Sequence, residues 1–367
     1  MQPNDLSTQL QELKNYLREE LRKKFGGLES TGRPAYAISL ANRDMTTFHK
    51  NRIEKDGDPL SFRVGGVMEL HQPVSNTDLA RAAHVLTLMM HWAKDRDWTL
   101  RAIGSAWSFS DVAAPGTSLT TSKCLLVETK AFAFYHRTSE DGLVYVTSGA
   151  TVRDLNERLD VLNRCLATSG SSDGQTIAGA ISTGVHGASF NGGAIHDSVR
   201  AFHMAGPDGD LLVCRDDASV TAAVNEVKAA FAVSELVVDE ELFDAIAVSF
   251  GSFGFMIGMV LETQPKYALR VIRRSLPSTK LPLLKQALLG QISFGDVDAQ
   301  LAAGDGDEPP HHCGLLINPY DPDTYKIVLM YPRRPDPSQP IFEWPDEISS
   351  FGVAIVRLLG PLLELAD

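Results

Sequence analysis

The chain has 367 residues, of which 44% are hydrophobic and 22% are charged, a composition typical of globular proteins and unlike that of disordered or fibrous chains. Its length suits about two domains, with a core large enough to fold without disulfides or structural metals. The 34 basic and 46 acidic residues give a formal net charge of −12. This charge argues against a nucleic-acid or anionic-membrane binder, because such proteins present basic surfaces.

The N-terminus and the cysteines predict a cytoplasmic protein. Residues 1–25 are polar and charged and lack the apolar run of a secretory signal. No stretch approaches the ~20 apolar residues of a membrane helix, so we expect no membrane span. The cysteines have no C-x-x-C spacing, which argues against a disulfide framework or zinc site and predicts reduced thiols and no metal; they are Cys124, Cys165, Cys214 and Cys313.

The first half of the chain predicts alternating helices and strands. An amphipathic helix over 6–25 has leucines every three or four residues, a basic last turn and two glycines after it, and it serves packing or a partner contact. Residues 28–66 are mixed and loop-rich. Beyond them, the pattern predicts helices over 79–95 and 152–162 and strands over 99–103, 125–128 and 143–147. This order indicates a mixed α and β arrangement rather than a solenoid or all-β fold.

The second half contains two groups of predicted elements. A strand–turn–strand unit over 197–204 and 210–214 is joined by Gly-Pro-Asp-Gly at 206–209. Residues 216–247 look helical, and a strand over 259–262 follows. The later elements are strands over 269–275, 313–318 and 325–331, a helix over 281–289, a loop over 302–310 and a final apolar helix over 351–365.

Glycines are concentrated in one segment. Seven of the 29 glycines lie in the 24 residues from Gly170 to Gly193. Glycine lets backbone N–H groups approach a ligand closely, and successive N–H groups bind anions without basic side chains. The segment therefore suits a pyrophosphate-containing cofactor in an acidic protein. The alternative is a flexible linker, but the interspersed Ile177, Ile181 and Val185 favour a packed turn and helix.

Two common phosphate-binding motifs are missing from the sequence. There is no G-x-x-x-x-G-K-[ST], which argues against a P-loop nucleotide hydrolase. The glycines at 251, 254 and 258 lack the G-x-G-x-x-G order and an acidic residue placed to follow it, which argues against a nicotinamide-binding doubly wound domain.

Four ordered blocks resemble a known family. They are IGSAWSFS at 103–110, VTSGATVRDLN at 146–156, SGSSDGQTIAGAISTGVHG at 169–187 and SFGSFGFMIG at 249–258. Together they resemble the FAD-binding PCMH-type domain of the vanillyl-alcohol oxidase/p-cresol methylhydroxylase flavoproteins, most of all the sugar-1,4-lactone oxidase and alditol oxidase branch. The resemblance implies an α+β fold: an N-terminal helix and extension in 1–67, a two-subdomain FAD-binding domain in 68–268 and an α+β substrate or cap domain in 269–367. Because those 99 residues are short for the family's cap and returning C-terminal segment, we expect a reduced cap or a fragment of a longer protein.

The resemblance also assigns cofactor-binding residues. The segment from Ile103 to Ser108 would wrap the pyrophosphate, the residues around Thr176 would contact the phosphates and flavin, and those from Thr183 to His186 would line the flavin ring and ribityl chain. Ile257, after the Gly254 turn, would hold the adenine side. The full set is Ile103, Gly104, Ser105, Ala106, Trp107, Ser108, Gly170, Ser171, Thr176, Gly179, Thr183, Gly184, Val185, His186, Gly254 and Ile257. When His186 is considered by itself, the alternative is a core histidine whose ring nitrogens form hydrogen bonds with neighbouring residues.

Departures from the family pattern refine the expected chemistry. Many relatives read G-S-G-H-S, with a histidine bonded covalently to the flavin, where this chain has Trp107. The cysteine that some relatives use as a second anchor is absent, because Ser169 and Gly170 stand there, and we interpret Cys165, several residues earlier, as structural. We therefore expect dissociable, non-covalent FAD. Gly170 stands where relatives admit or block oxygen, and its small size favours an oxidase over a dehydrogenase. The alternative is that Gly170 only forms a turn.

The resemblance implies an enzyme that oxidises a CH–OH group of a polyol, sugar lactone or similar alcohol by hydride transfer to FAD, with oxygen as acceptor giving hydrogen peroxide. The acidic residue and arginine that the family carries on its cap strand are not at the expected places, so the catalytic base stays unassigned. Polar candidates are His312, Asn318, Tyr320 and Lys326. His311 and His312 are equally compatible with a loop after two prolines. Alternatives are an FAD-binding protein without catalysis and a scaffold protein that uses its N-terminal helix as a contact.

Overall fold

The structure, a computed structural model, describes residues 3–25, 36–40, 45–46, 52–53, 66–108, 112, 123–170, 172–189, 192–302 and 310–334. Ser171, most of the predicted loop over 302–310 and the predicted helix over 351–365 lie outside the described residues.

Eight α-helices are present in the described part of the chain. They are α1 (Pro3–Phe25), α2 (Asn76–Arg96), α3 (Val152–Val161), α4 (Ile177–Ser182), α5 (Thr221–Phe231), α6 (Glu240–Ala247), α7 (Leu281–Leu288) and α8 (Phe294–Val297). Short 3-10 helices lie at Ile195–Ser198, Ser278–Lys280 and Ala299–Leu301.

The strands in chain order are β1 (Tyr36–Leu40), β2 (Met45–Thr46), β3 (Arg52–Ile53), β4 (Gly66–Leu70), β5 (Thr99–Ile103), β6 (Cys124–Glu128), β7 (Tyr135–Arg137), β8 (Leu143–Thr147), β9 (Arg164–Cys165), β10 (Val199–Gly206), β11 (Gly209–Cys214), β12 (Glu235–Val238), β13 (Met256–Glu262), β14 (Gln264–Pro265), β15 (Ala268–Pro277), β16 (His312–Asn318) and β17 (Asp321–Arg333). Strands β2 and β3 pair with each other, as do β9 and β14.

The first sheet has the strand order β1-β4-β6-β5. Strands β4, β5 and β6 are parallel, whereas β1 pairs with β4 in the antiparallel direction. Helix α2 covers this sheet with a buried face, and the leucines of α1 pack into the same core. Because β5 and β6 run in the same direction, their carboxyl ends lie at one edge of the sheet.

The second sheet has six strands in the order β12-β11-β10-β13-β8-β7. One face packs against α2 and α5 through residues such as Tyr145, Leu212 and Val260. The opposite face packs against α3, α4 and α6 through Val146, Phe202 and Met259. Side chains on successive strand residues point to opposite faces, so each strand supplies both cores. Helix α2 therefore joins the first sheet to the second.

A third sheet, ordered β15-β17-β16, follows the second in the chain. Alternate residues of β15 and β17, among them Ile272, Ile327 and Leu329, pack against α7 and α8 in a separate core. The division of the chain at 67 and 268 stays a prediction.

The predicted elements agree with the observed ones wherever the pattern was strong. The helix α1, the strand β8 and the turn between β10 and β11 all lie where the sequence predicts them. The prediction for 216–247 was wrong in part, because β12 separates its two helices and extends the second sheet in parallel with β11. Strands β1 and β4, in or next to the stretch described only as loop-rich, were also missed.

The sequence predicts no membrane span and no metal site, and the described residues bear on both predictions. No helix there is long and apolar enough to cross a membrane, and no group of three or more histidine, cysteine or acidic side chains there could hold a metal ion. All four cysteines are free, with Cys124 and Cys214 buried and Cys165 and Cys313 half-buried.

Candidate functional site

A cavity of about 470 Å³ opens where the first sheet meets α4. Its walls come from the loop after β5, from residues 172–185 and from the turn that precedes β13. Ile103 and Thr129, which end β5 and follow β6, both line it, and the Thr129 N–H donates to the Ile103 carbonyl at 2.9 Å. Ligands of α/β proteins bind at such carboxyl edges of parallel strands.

The structure brings most of the predicted cofactor residues to this cavity. Those that line it are Ile103, Gly104, Ser105, Ala106, Trp107, Ser108, Thr176, Gly179, Thr183, Val185 and Gly254. They come from three separate sequence blocks that only the fold joins. Their role toward a cofactor stays a prediction, and Ser171 lies outside the described residues.

Four other predicted residues do not line the cavity. Gly170 and Gly184 have left-handed backbone conformations, with φ of 74° and 64°. A Cβ on Gly170 would lie 2.7 Å from Cγ1 of Val185, a wall residue. His186 is exposed, with Nδ1 2.9 Å from the Gly187 carbonyl. Ile257 is fully buried, and its carbonyl accepts from the Ser148 N–H at 2.9 Å.

Two glycines allow unusually close packing around the cavity. A Cβ on Gly104 would lie 2.2 Å from Oγ1 of Thr176, the residue that caps the N-terminus of α4. A Cβ on Gly174 would lie 2.3 Å from the ring of Trp107. The absence of side chains here lets the loop after β5 rest directly on the segment that leads into α4.

Three buried polar atoms on the cavity wall have no hydrogen-bond partner among the described residues. They are the hydroxyls of Ser105 and Ser148 and the amide oxygen of Gln175. Buried polar groups are almost always hydrogen-bonded, and each one left unpaired costs about 1–3 kcal/mol. All three atoms belong to residues that line one cavity, which suits a polar ligand.

Arg101 supplies the charge of the cavity. It is the charged side chain among the described lining residues, and it forms no ion pair within the described part of the chain. A half-buried guanidinium presents several donors that suit phosphate oxygens. In a protein of net charge −12, this arginine gives the cavity a local preference for an anion.

The backbone of the wall is also strained at two positions. Ala106 and Phe250 are not glycine, yet they have φ of 52° and 51°. The left-handed region costs an ordinary residue roughly 1–2 kcal/mol, and such conformations concentrate at functional sites. The two strained residues lie on the cavity wall, in the loop after β5 and in the turn before β13.

Comparison with known families identifies the cavity-bearing region. Residues 80–215 match a family model described as "FAD binding domain". The chain carries an FAD-binding PCMH-type domain. The polar atoms without partners, the glycine contacts and Arg101 fit such a group, because a dinucleotide offers phosphate oxygens and ring nitrogens to bind them.

The domain has distant relatives among lactone oxidases. The D-arabinono-1,4-lactone oxidase of Yarrowia lipolytica is 30% identical over 180 residues, which are 48% of this chain and 30% of that protein. The L-gulonolactone oxidase of Scyliorhinus torazame is 23% identical over 213 residues, 58% of this chain and 40% of that protein. The matched region thus spans less than half the length of either relative.

Solved structures show the same fold. The cholesterol oxidase of B. sterolicum superposes with a TM-score of 0.52 at 13% identity, over 92% of this chain and 59% of that one. An alkyldihydroxyacetonephosphate synthase gives a TM-score of 0.53 at 12% identity, over 74% and 47% of the two chains. The predicted α+β class and the family resemblance are confirmed.

The structure does not bring the four catalytic candidates to the cavity. His312 is half-buried, with Nδ1 2.8 Å from the Ala188 carbonyl, and it bridges to Ser189. Asn318 and Tyr320 lie at the exposed turn between β16 and β17, where Tyr320 is 95% exposed. Lys326 is exposed on β17. Their catalytic roles stay predictions.

The structure adds wall residues that the sequence reasoning did not select. They are Arg101, Ala102, Val112, Thr129, Ser148, Ser172, Gln175, Ala178, Ser182, Phe250, Gly251 and Met256. Ser148, Gln175 and Phe250 lie inside the four sequence blocks, so block membership could have suggested them. Arg101 and Thr129 carried no sequence signal, since only strand pairing places them at the cavity.

Substitution of Arg101 tests the electrostatic part of the site. We expect Arg101→Met to weaken FAD binding about tenfold, since a hydrogen bond to a charged group contributes about 1.5–3 kcal/mol. Fluorescence titration of the apoprotein would measure the dissociation constant, and the loss should shrink at high salt. An unchanged affinity would show that Arg101 does not contact the bound anion. Lys266→Met, which removes a cation that pairs with Asp160 and does not line the cavity, is the control.

Proposed function

We propose that this protein binds FAD non-covalently and uses it to oxidise a CH–OH group of a sugar lactone or polyol, with dioxygen as the final acceptor. The observation that carries the proposal is the cavity of the FAD-binding domain, which is lined by Ser105, Ser148 and Gln175, three residues that each have a buried polar atom without a partner among the described residues. The names of the relatives supply the substrate class.

Each part of the wall has a distinct task in this proposal. The loop from Gly104 to Ser108 and the guanidinium of Arg101 would hold the pyrophosphate, and Gln175 and Ser148 would bind polar edges of the cofactor. Bound FAD supplies the acceptor for a hydride from the alcohol carbon. Overall, the substrate loses a hydride and its hydroxyl proton to become a carbonyl, and dioxygen gains two electrons and two protons to become hydrogen peroxide.

The absorbance spectrum and anaerobic reduction test the proposal directly. The purified protein, reconstituted with FAD, should show flavin absorbance that bleaches with D-arabinono-1,4-lactone, L-gulono-1,4-lactone or a polyol such as xylitol. Admission of air should restore the colour and release hydrogen peroxide. Uptake of FAD without bleaching by any of these would instead identify a non-catalytic FAD-binding protein, and failure to take up FAD would favour a scaffold. Turnover with dyes but not with oxygen would reject the oxidase assignment.

Denaturation distinguishes the two modes of flavin attachment. Trp107 occupies the position of the histidine to which relatives attach the flavin, and an indole ring has no free nitrogen lone pair for that bond. We therefore expect acid precipitation of the holoprotein to release all of the yellow colour into the supernatant. Flavin that stays with the pellet, or a flavin-bearing peptide after proteolysis, would contradict the non-covalent mode.

A further inference from the structure

The helix-covered face of the third sheet is incomplete along strand β16. Leu315 and Ile317 pair directly with Ile327 and Tyr325 of β17, which are buried in the core beneath α7 and α8. Directly paired residues of neighbouring strands lie on the same face of a sheet. Leu315 and Ile317 therefore face the helix layer, yet they are 38% and 71% exposed. Within the described part of the chain, the helix layer leaves this end of β16 uncovered.

A buried hydroxyl on the neighbouring strand also lacks a partner. Tyr325 is 4% exposed, and its hydroxyl forms no hydrogen bond with any described residue. Buried polar groups are almost always hydrogen-bonded. Tyr325 pairs with Ile317, so the unpaired hydroxyl and the exposed apolar side chain belong to adjacent positions of the same sheet. Both observations indicate that a further segment packs against the helix side of the sheet at this point.

One segment outside the described residues has the composition and the reach that this surface needs. Residues 351–365 contain only two charged side chains, Arg357 and Glu364, and a helix that is apolar nearly all round must be buried. The part before Pro361 alone gives a helix of about 15 Å, which is longer than the roughly 7 Å from one exposed residue of β16 to the other. Residues 335–350 can extend to about 50 Å, so the segment can return from the end of β17 to β16.

We propose that residues 351–365 pack on the helix side of the third sheet, against Leu315 and Ile317, and complete the layer that α7 and α8 begin. This contact buries the apolar surface of the segment and that of β16 together. The alternative occupant is a second copy of the chain, because an exposed apolar edge strand can also pair with its own copy. No residue of the third sheet lines the FAD cavity among the described residues, so this inference is independent of the proposed function.

The rate of thiol modification at two adjacent positions tests the contact. Ile317→Cys places a thiol in the proposed contact, and Leu316→Cys, at a position that is 60% exposed on the opposite face, is the matched control. The full-length variants should be treated with a maleimide, and tandem mass spectrometry should assign each modified residue. We expect the thiol of Ile317→Cys to react about tenfold more slowly than that of Leu316→Cys, because a covered thiol reacts only when the contact opens.

Substitutions in the segment identify what covers the strand. Ile355→Asp together with Leu359→Asp should abolish the protection of the Ile317→Cys thiol, because a charge is costly in an apolar contact. The rate for Leu316→Cys should stay unchanged. A cross-linking measurement does not depend on whether the aspartate variant folds. A short bismaleimide should join Ile317→Cys to Leu359→Cys within one chain, and it should join Leu316→Cys to Leu359→Cys much less.

Four results would overturn the proposal. Equal reaction rates at the two positions would show that nothing covers this side of β16. Protection that persists in a folded variant with both aspartates would assign the cover to another part of the chain. Protection that grows with protein concentration, together with a dimer in analytical ultracentrifugation, would assign it to a second copy. Equal cross-linking of both positions to the segment would show that it does not pack on one face. FAD uptake does not enter any of these measurements.

Discussion

Substitution of Gly104 by alanine is expected to weaken FAD binding at least a hundredfold, or by about 2.8 kcal/mol. A Cβ at this position would lie 2.2 Å from Oγ1 and 2.9 Å from Cγ2 of Thr176. Thr176 is 3% exposed and caps α4, so it has little room to move. The loop after β5 must then shift, and it carries the residues from Ser105 to Ser108 that line the cavity.

A double-mutant cycle tests whether the clash with Thr176 causes the expected loss of FAD affinity. Thr176→Ala removes both clashing atoms at the cost of the helix cap, about 1 kcal/mol. The pair Gly104→Ala with Thr176→Ala should therefore bind FAD more tightly than the sum of the single effects predicts. Calorimetry gives the affinities, and thermal melting separates affinity from stability. Additive losses would show that contact with Thr176 is not what Gly104 provides.

Part of this site can be predicted from the sequence, because its glycines mark positions where the backbone turns sharply or approaches a neighbour closely. The cluster from Gly170 to Gly193 and the blocks at 103–110 and 249–258 are local patterns, so they identify the loops that converge on the cavity. Which side chains lie on its wall depends on long-range pairing. Arg101 faces the cavity because β5 pairs in parallel with β6, and no local pattern records that pairing.

The elements that sequence reasoning missed share a physical cause. Strand β12 is short, and its residues are exposed or half-buried. It forms because it pairs with β11, not because its sequence alternates apolar and polar residues. Tertiary pairing overrides weak local preference in such strands. Isolated polar residues in an apolar strand indicate even less about which side chains they will contact. Tyr145, His203 and Asp210 lie within three apolar strands, and only the folded sheet shows that they form one network.

Disruption of this buried network is the second change for which we expect a large effect, here on the stability of the protein. His203 is fully buried, with Nδ1 2.8 Å from the Tyr145 hydroxyl and Nε2 2.9 Å from Asp210 Oδ2. Asp210 Oδ1 accepts from the N–H and the hydroxyl of Ser234, at 3.1 and 2.8 Å. The four side chains join β8, β10, β11 and the start of β12 across the second sheet.

Asp210→Ala is therefore expected to lower the free energy of unfolding by about 3–5 kcal/mol, the cost of breaking a buried polar pair. Asp210→Asn keeps one acceptor and should cost about half as much. Ser234→Ala removes a single hydroxyl donor and should cost about 1 kcal/mol. Urea denaturation of each variant measures these differences. Equal stability of Asp210→Ala and Ser234→Ala would contradict a central role for the carboxylate.

The pH dependence provides an independent check on the same carboxylate. Burial raises the pKa of Asp210, but the hydrogen bond and charge of His203 and the hydrogen bonds from Ser234 outweigh burial, so the pKa lies below its ordinary value. A lowered folded-state pKa stabilises the protein above the unfolded-state value of about 3.9, and this contribution is lost as the pH falls through the folded-state pKa. The stability difference between the unsubstituted protein and Asp210→Asn should thus shrink as the pH falls below about 4. A difference that stays constant to pH 3, or grows there, would show that Asp210 is not ionised in the folded protein.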